Sequence, residues 1–65
     1  MVVIIRGPNY REVELGSERR VEQILRQLGL NPETHIAVRG EELLTRDDIV
    51  RENDTIEIIS AISGG

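Results

Sequence analysis

Thr55-Ile56-Glu57-Ile58-Ile59-Ser60-Ala61-Ile62-Ser63-Gly64-Gly65 is the stretch on which the fold turns. It begins as a strand, because β-branched residues dominate it and polar residues alternate with isoleucine at its start. It ends in a way that no strand needs. Glycine loses the most backbone entropy on ordering and has no side chain to bury, so a final Ser-Gly-Gly adds nothing to a core. It makes a thin tail that can enter a narrow cleft. The expectation is a folded domain over residues 1–61 and a flexible tail over residues 62–65. Gly65 is then the chemically active end, and Ile62, Ser63 and Gly64 are the residues that thread.

The strand over residues 55–61 is long and apolar, which suits the middle of a sheet. Met1-Val2-Val3-Ile4-Ile5-Arg6 has the same character. The two are expected side by side, and parallel, because a helix lies between them in sequence and supplies the crossover. Gly7-Pro8-Asn9 is a turn cluster, and residues 10–15 alternate, so the first two strands form a hairpin. A helix is expected to open at Gly16-Ser17, with Ser17 as its cap and Glu18 in the first turn, although Arg20 occupies the position where a full capping box needs Glu or Gln. Val21, Ile24, Leu25 and Leu28 give it one apolar stripe. Gly29 and Leu30 read as a Schellman ending, and Asn31-Pro32 blocks continuation. Residues 34–39 form a third strand, Arg39-Gly40 a turn and Glu42-Leu43-Leu44 a short strand. Thr45-Arg46-Asp47-Asp48 resembles the start of a helical turn, and Ile49 and Val50 are expected to close the core. The order is ββαβββ, an α+β fold with a mixed sheet packed on one helix.

Composition narrows the function. At 65 residues the chain is one domain, and a domain of this size buries only about 60% of its unfolded surface. It has room for a small core and none for a deep catalytic cavity. That core is aliphatic, with nine isoleucines, six valines and six leucines and neither Phe nor Trp. The absence of cysteine removes disulfides, a thiolate nucleophile and thiolate metal ligands. A single histidine, His35, reads as a surface or partner-contacting residue on the outer face of its strand, not as part of a metal site. The net charge of −4 argues against a basic nucleic-acid surface and favours a basic protein partner. Glu41-Glu42 and Asp47-Asp48 read as a solvated turn and a cap. All eight basic residues are arginine, so no side-chain amine is available for acylation. The chain opens directly on a strand, without a signal-peptide pattern. No stretch approaches the ~20 apolar residues of a membrane span. A cytosolic monomer is expected.

Strand parity then defines a surface. If Ile56 and Ile58 face the helix, Ile59 faces away, and if Val3 and Ile5 face the helix, Val2 and Ile4 face away. Ala37 is assigned to the same outer side. Val2, Ile4, Ala37 and Ile59 therefore form an expected partner-binding patch near the tail, with no second helix to cover it.

A free carboxylate is a poor electrophile. Activation as an acyl-adenylate would let a sulfur or nitrogen nucleophile displace AMP, and a terminus without Cβ atoms leaves that acyl carbon unhindered. Four extended residues reach about 13 Å, enough to carry Gly65 into an enzyme while the domain docks outside. The chain itself has no P-loop pattern and no lysine, so it is expected to bind no cofactor. ATP would be used by a partner.

Ile36-Ala37-Val38-Arg39-Gly40-Glu41-Glu42-Leu43, with Asp54-Thr55-Ile56-Glu57-Ile58 and the Gly64-Gly65 end, resembles the ThiS/MoaD group of ubiquitin-like sulfur carriers. The resemblance runs the length of the chain. It implies a β-grasp fold and no catalytic residue. It implies adenylation of Gly65 by an E1-like enzyme of the ThiF/MoeB type, sulfur from a persulfide donor, a thiocarboxylate product and a sulfur-accepting enzyme. Within the group, carriers serve thiazole synthesis for thiamin, dithiolene formation or tRNA 2-thiolation. The ending over residues 60–65 looks closest to the tRNA branch, whose acceptor is a tRNA thiolase; in the thiamin branch it is thiazole synthase. Two other readings stand beside it: a ubiquitin-like modifier joined to proteins by isopeptide bonds, and an interaction domain with an inert tail.

Overall fold

The structure, a computed structural model, describes residues 1–7 and 9–61. The turn residue Pro8 and the tail residues 62–65 lie outside the described residues. Strands β1 (Val2–Ile5) and β2 (Arg11–Glu14) form the expected antiparallel hairpin, with Val3 opposite Val13. A two-residue strand, β3 (Arg19–Arg20), leads into helix α1 (Val21–Gln27). Strands β4 (His35–Arg39), β5 (Glu42–Leu44), β6 (Ile49–Val50) and β7 (Thr55–Ser60) follow. The main sheet has the order β2-β1-β7-β4-β5, and β3 pairs with β6 in a separate ribbon. β1 and β7 are adjacent and parallel, as their shared apolar character indicates, while β4 and β7 run antiparallel. Five strands curl around one helix, which is the β-grasp arrangement.

Helix α1 buries Val21, Ile24 and Leu25 against the sheet, where Val3, Ile56 and Ile58 are fully enclosed. Each such aliphatic side chain contributes about 1.5–3 kcal/mol through removal from water. The helix ends as expected. Gly29 has φ +76°, its N–H donates to the carbonyl of Arg26, and the N–H of Leu30 donates to that of Leu25 at 2.8 Å. Gly40, at φ +63°, opens the two-residue turn between β4 and β5, where a residue with a Cβ would be strained.

The helix start differs from expectation. It begins at Val21, with Arg20 as the capping position, and Ser17 does not cap it. The N–H groups of Val21 and Glu22 donate to the carbonyls of Asp48 and Arg46, at 3.0 and 3.1 Å. The side-chain oxygen of Gln23 accepts the N–H of Arg20 at 3.0 Å. A distant loop thus satisfies the donors that a Ser17 cap would serve, and Ser17 instead accepts from the guanidinium of Arg19. Residues 45–48 form a turn and no helix: Asp48 accepts the N–H of Thr45 at 2.7 Å. Of the next pair, Val50 closes the core and Ile49 faces solvent.

Candidate functional site

Strand β7 ends beside the start of β4. His35 pairs with Ser60 across the strands, and the N–H of Ala61 donates to the carbonyl of Thr34 at 2.7 Å. The root of the tail is therefore held on a central strand. Ile62, Ser63, Gly64 and Gly65, the expected threading and reacting residues, lie outside the described residues. A groove of about 300 Å³ opens next to the root, with Ile5, Leu30, Arg11, His35 and Ser60 in its wall. His35 is half-buried, and its Nδ1 lies 3.1 Å from the carbonyl of Asn31 and 3.0 Å from the Thr34 hydroxyl. Asn31 also turns the chain, its side-chain oxygen accepting the N–H of Glu33 at 2.9 Å. These bonds fix the loop that receives Ala61.

Register corrects the expected patch at one position. Val2, Ile4 and Ile59 do face away from the helix, with Val2 and Ile4 half-buried and Ile59 40% exposed. Ala37 does not. It pairs with Ile58, so the two share the inner face, and Ala37 is 1% exposed within the core. The same pairing moves His35 to the helix side of the sheet. Ile36 and Val38, the larger apolar pair of β4, lie outside. Val38 also pairs with Leu43, which is 65% exposed. The outer surface thus runs through Ile4, Ile36, Val38, Leu43 and Ile59. The signal that finds Ile36, Val38 and Leu43 is pairing: partners directly across a sheet point the same way, and Ile58 is already committed inward.

Glu57 crosses this surface between Ile4 and Val38. Arg6 Nε lies 2.5 Å from its Oε2, a contact that raises the Arg6 pKa and places an ion pair among the apolar residues of this face, whose β2 edge carries Glu12 and Glu14 opposite Ile4 and Val2. At the opposite end of the sheet Arg39 spans Glu42 and Asp54, both at 2.9 Å. The N–H of Arg51, helped by the Arg39 guanidinium, holds the Asp54 carboxyl below the usual carboxylate range, although burial acts in the opposite direction. These contacts tie β4, β5 and the turn before β7 together. Among the described residues no group of three or more His, Cys, Asp or Glu is placed to hold a metal ion, and no helix is long and apolar enough to cross a membrane.

A five-stranded sheet grasping one helix, with Ile4, Ile36, Val38, Leu43 and Ile59 on its outer face and a sequence that runs on from the central strand β7 to Gly64-Gly65, defines a protein of the ubiquitin-like β-grasp class. The ThiS family model matches residues 4–65, and the chain belongs to the ThiS family. It is 58% identical over 65 residues, the full length of both chains, to the sulfur carrier protein TtuB of Thermus thermophilus. It is 39% identical over 60 residues to an uncharacterized protein of Archaeoglobus fulgidus, covering 91% of this chain and 88% of the other.

Proposed function

We propose that this protein is a sulfur carrier for tRNA 2-thiouridine synthesis, acting in the cytoplasm as a co-substrate of other enzymes. The observation that carries this reading is the 58% identity along the whole of both chains to a protein named as a sulfur carrier. The tRNA branch follows from the resemblance of residues 60–65 to carriers of that type. In this reading an E1-like enzyme of the ThiF/MoeB type binds ATP. The Gly65 carboxylate attacks the α-phosphorus and pyrophosphate leaves. Sulfur from a persulfide donor then displaces AMP, and reduction of the resulting S–S bond by a thiol leaves a thiocarboxylate for the tRNA thiolase.

The chain's own part is positional. Strand β7 and the Ala61–Thr34 bond aim the tail. The surface through Ile4, Ile36, Val38, Leu43 and Ile59 offers the partner an apolar face, and Ile62, Ser63 and Gly64 thread the cleft. Deletion of Gly65 tests the assignment: sulfur transfer in a reconstituted system is lost, and survival of transfer would overturn it. Deletion of the gene tests the branch. Loss of 2-thiouridine from tRNA with unchanged growth on thiamin-free medium supports it, and the reverse pattern would place the protein in thiazole synthesis.

A further inference from the structure

The helix stops before the inner face of the sheet does. Arg11 pairs with Ile5, and Ile5 with Ile58, which faces the helix. Ser60 lies two residues past Ile58 on the same face, and His35 pairs with it. Helix α1 ends at Gln27, and the turn at Gly29 brings Leu30 against the edge of the core. Past Leu30 the groove of about 300 Å³ opens over Ile5, with Arg11 on β2 to one side and His35 on β4 to the other.

The groove has a sign. The chain carries a net charge of −4, yet among the described residues the wall holds Arg6, Arg11 and His35 and no carboxylate. Arg6 is committed to Glu57 on the outer face. Arg11 is exposed and, among the described residues, makes no ion pair or side-chain hydrogen bond. The Asn31–Thr34 loop engages His35 at Nδ1, and Nε2 makes no hydrogen bond among the described residues. At the opposite end of the sheet the corresponding groove carries Glu14, Glu52 and Asp54. The domain is thus polarised, and its basic end is the one where β7 finishes.

We propose that this groove receives an acidic side chain, Asp or Glu, of the adenylating partner, an inference that rests on the proposed function and adds a second contact to it. The methylene carbons of that side chain lie against Ile5 and Leu30. Its carboxylate takes the Arg11 guanidinium, and a protonated His35 supplies a further N–H donor. A protein carboxylate fits better than an RNA backbone. A chain of phosphates needs several cations in a row, whereas here one free guanidinium stands beside an apolar floor in an acidic domain. The groove lies on the inner face of the sheet and the aliphatic surface on the outer, so a partner that uses both holds the end of β7 from two sides.

Adenylation of the full chain by the purified ThiF/MoeB-type enzyme of the same cells tests this, followed as pyrophosphate release against carrier concentration. Arg11→Glu is expected to raise KM about tenfold and Arg11→Gln about threefold, with kcat within about twofold of the parent. The gap is expected to narrow in about 0.5 M salt. Arg46→Glu makes the same change in net charge at an exposed position beside the start of α1, and its KM is expected to stay within about twofold. Thermal unfolding of each variant separates loss of docking from loss of fold, and Arg11→Gln keeps the test open if charge reversal unfolds the chain. Equal KM for the parent and the folded Arg11 variants, with the parent turned over, would overturn the proposal and leave the proposed function standing. A parent that the enzyme does not adenylate would overturn that reading, and the proposal with it. Arg11-dependent binding of single-stranded RNA with unchanged KM would assign the groove to phosphate and overturn the proposal as well.

Discussion

The backbone N–H of Ala61 donates to the carbonyl of Thr34 at 2.7 Å, tying the root of the tail to the entry of β4. Ala61, the last described residue, is thereby held at a fixed point. Ala61→Pro removes this donor and leaves the rest of the sheet paired. Its expected cost is small, about 0.5–1.5 kcal/mol in urea unfolding. The rate of sulfur transfer is expected to fall by more than this loss of folded population explains.

Two substitutions separate the faces of the sheet. Ala37→Leu forces three extra carbons into the core opposite Ile58, and a cost of about 1–3 kcal/mol in stability is expected. Leu43→Asp acts on an exposed position of the outer face, and its stability stays within about 0.5 kcal/mol of the parent. Its capture by the adenylating enzyme, measured by calorimetry, falls roughly tenfold. The opposite ranking of the two variants would contradict the pairing of Ala37 with Ile58.

Gly29→Ala addresses the helix ending. Nothing lies within 4 Å of a Cβ added there, so the cost is conformational and comes from φ +76°. About 1–2 kcal/mol of destabilisation is expected. The outer face and the tail are untouched, so binding to a partner is unchanged.

Asp54 links stability to pH. Its carboxyl is depressed in the folded state by the Arg51 N–H and the Arg39 guanidinium, so its contribution is present above the ordinary aspartate value, about 4. The contribution is lost as pH falls through the lower folded value. Asp54→Asn is therefore less stable than the parent at neutral pH, and the gap closes in acid. Thermal unfolding at a series of pH values reads both limbs.

Much of the fold is legible in the chain itself. The hairpin, the parallel pairing of β1 with β7, the apolar stripe of α1 and the Gly29 ending all rest on local periodicity and turn chemistry. The features that local pattern misplaces share one physical origin, which is that their causes are not local. Ser17 is a good cap by type, yet the first helical donors are met by carbonyls at residues 46 and 48. Ala37 could not be placed by alternation, because its neighbours Ile36 and Val38 are better core residues by size. Only pairing with Ile58 sends it inward. Leu43 and Val38 belong to the outer surface for the same reason.

The central claim is that Gly65 carries sulfur, and intact mass spectrometry of the protein isolated from its own cells tests it most directly. A sulfur carrier shows a species in which one sulfur replaces one oxygen, located on the peptide that ends at Gly65 and susceptible to thiol alkylation. Oxidation of Met1 gives a nearly equal mass gain, but on the first peptide and without alkylation. A chain whose last peptide is unmodified in every growth condition, and which an adenylating enzyme of the same cells does not activate, would contradict the claim.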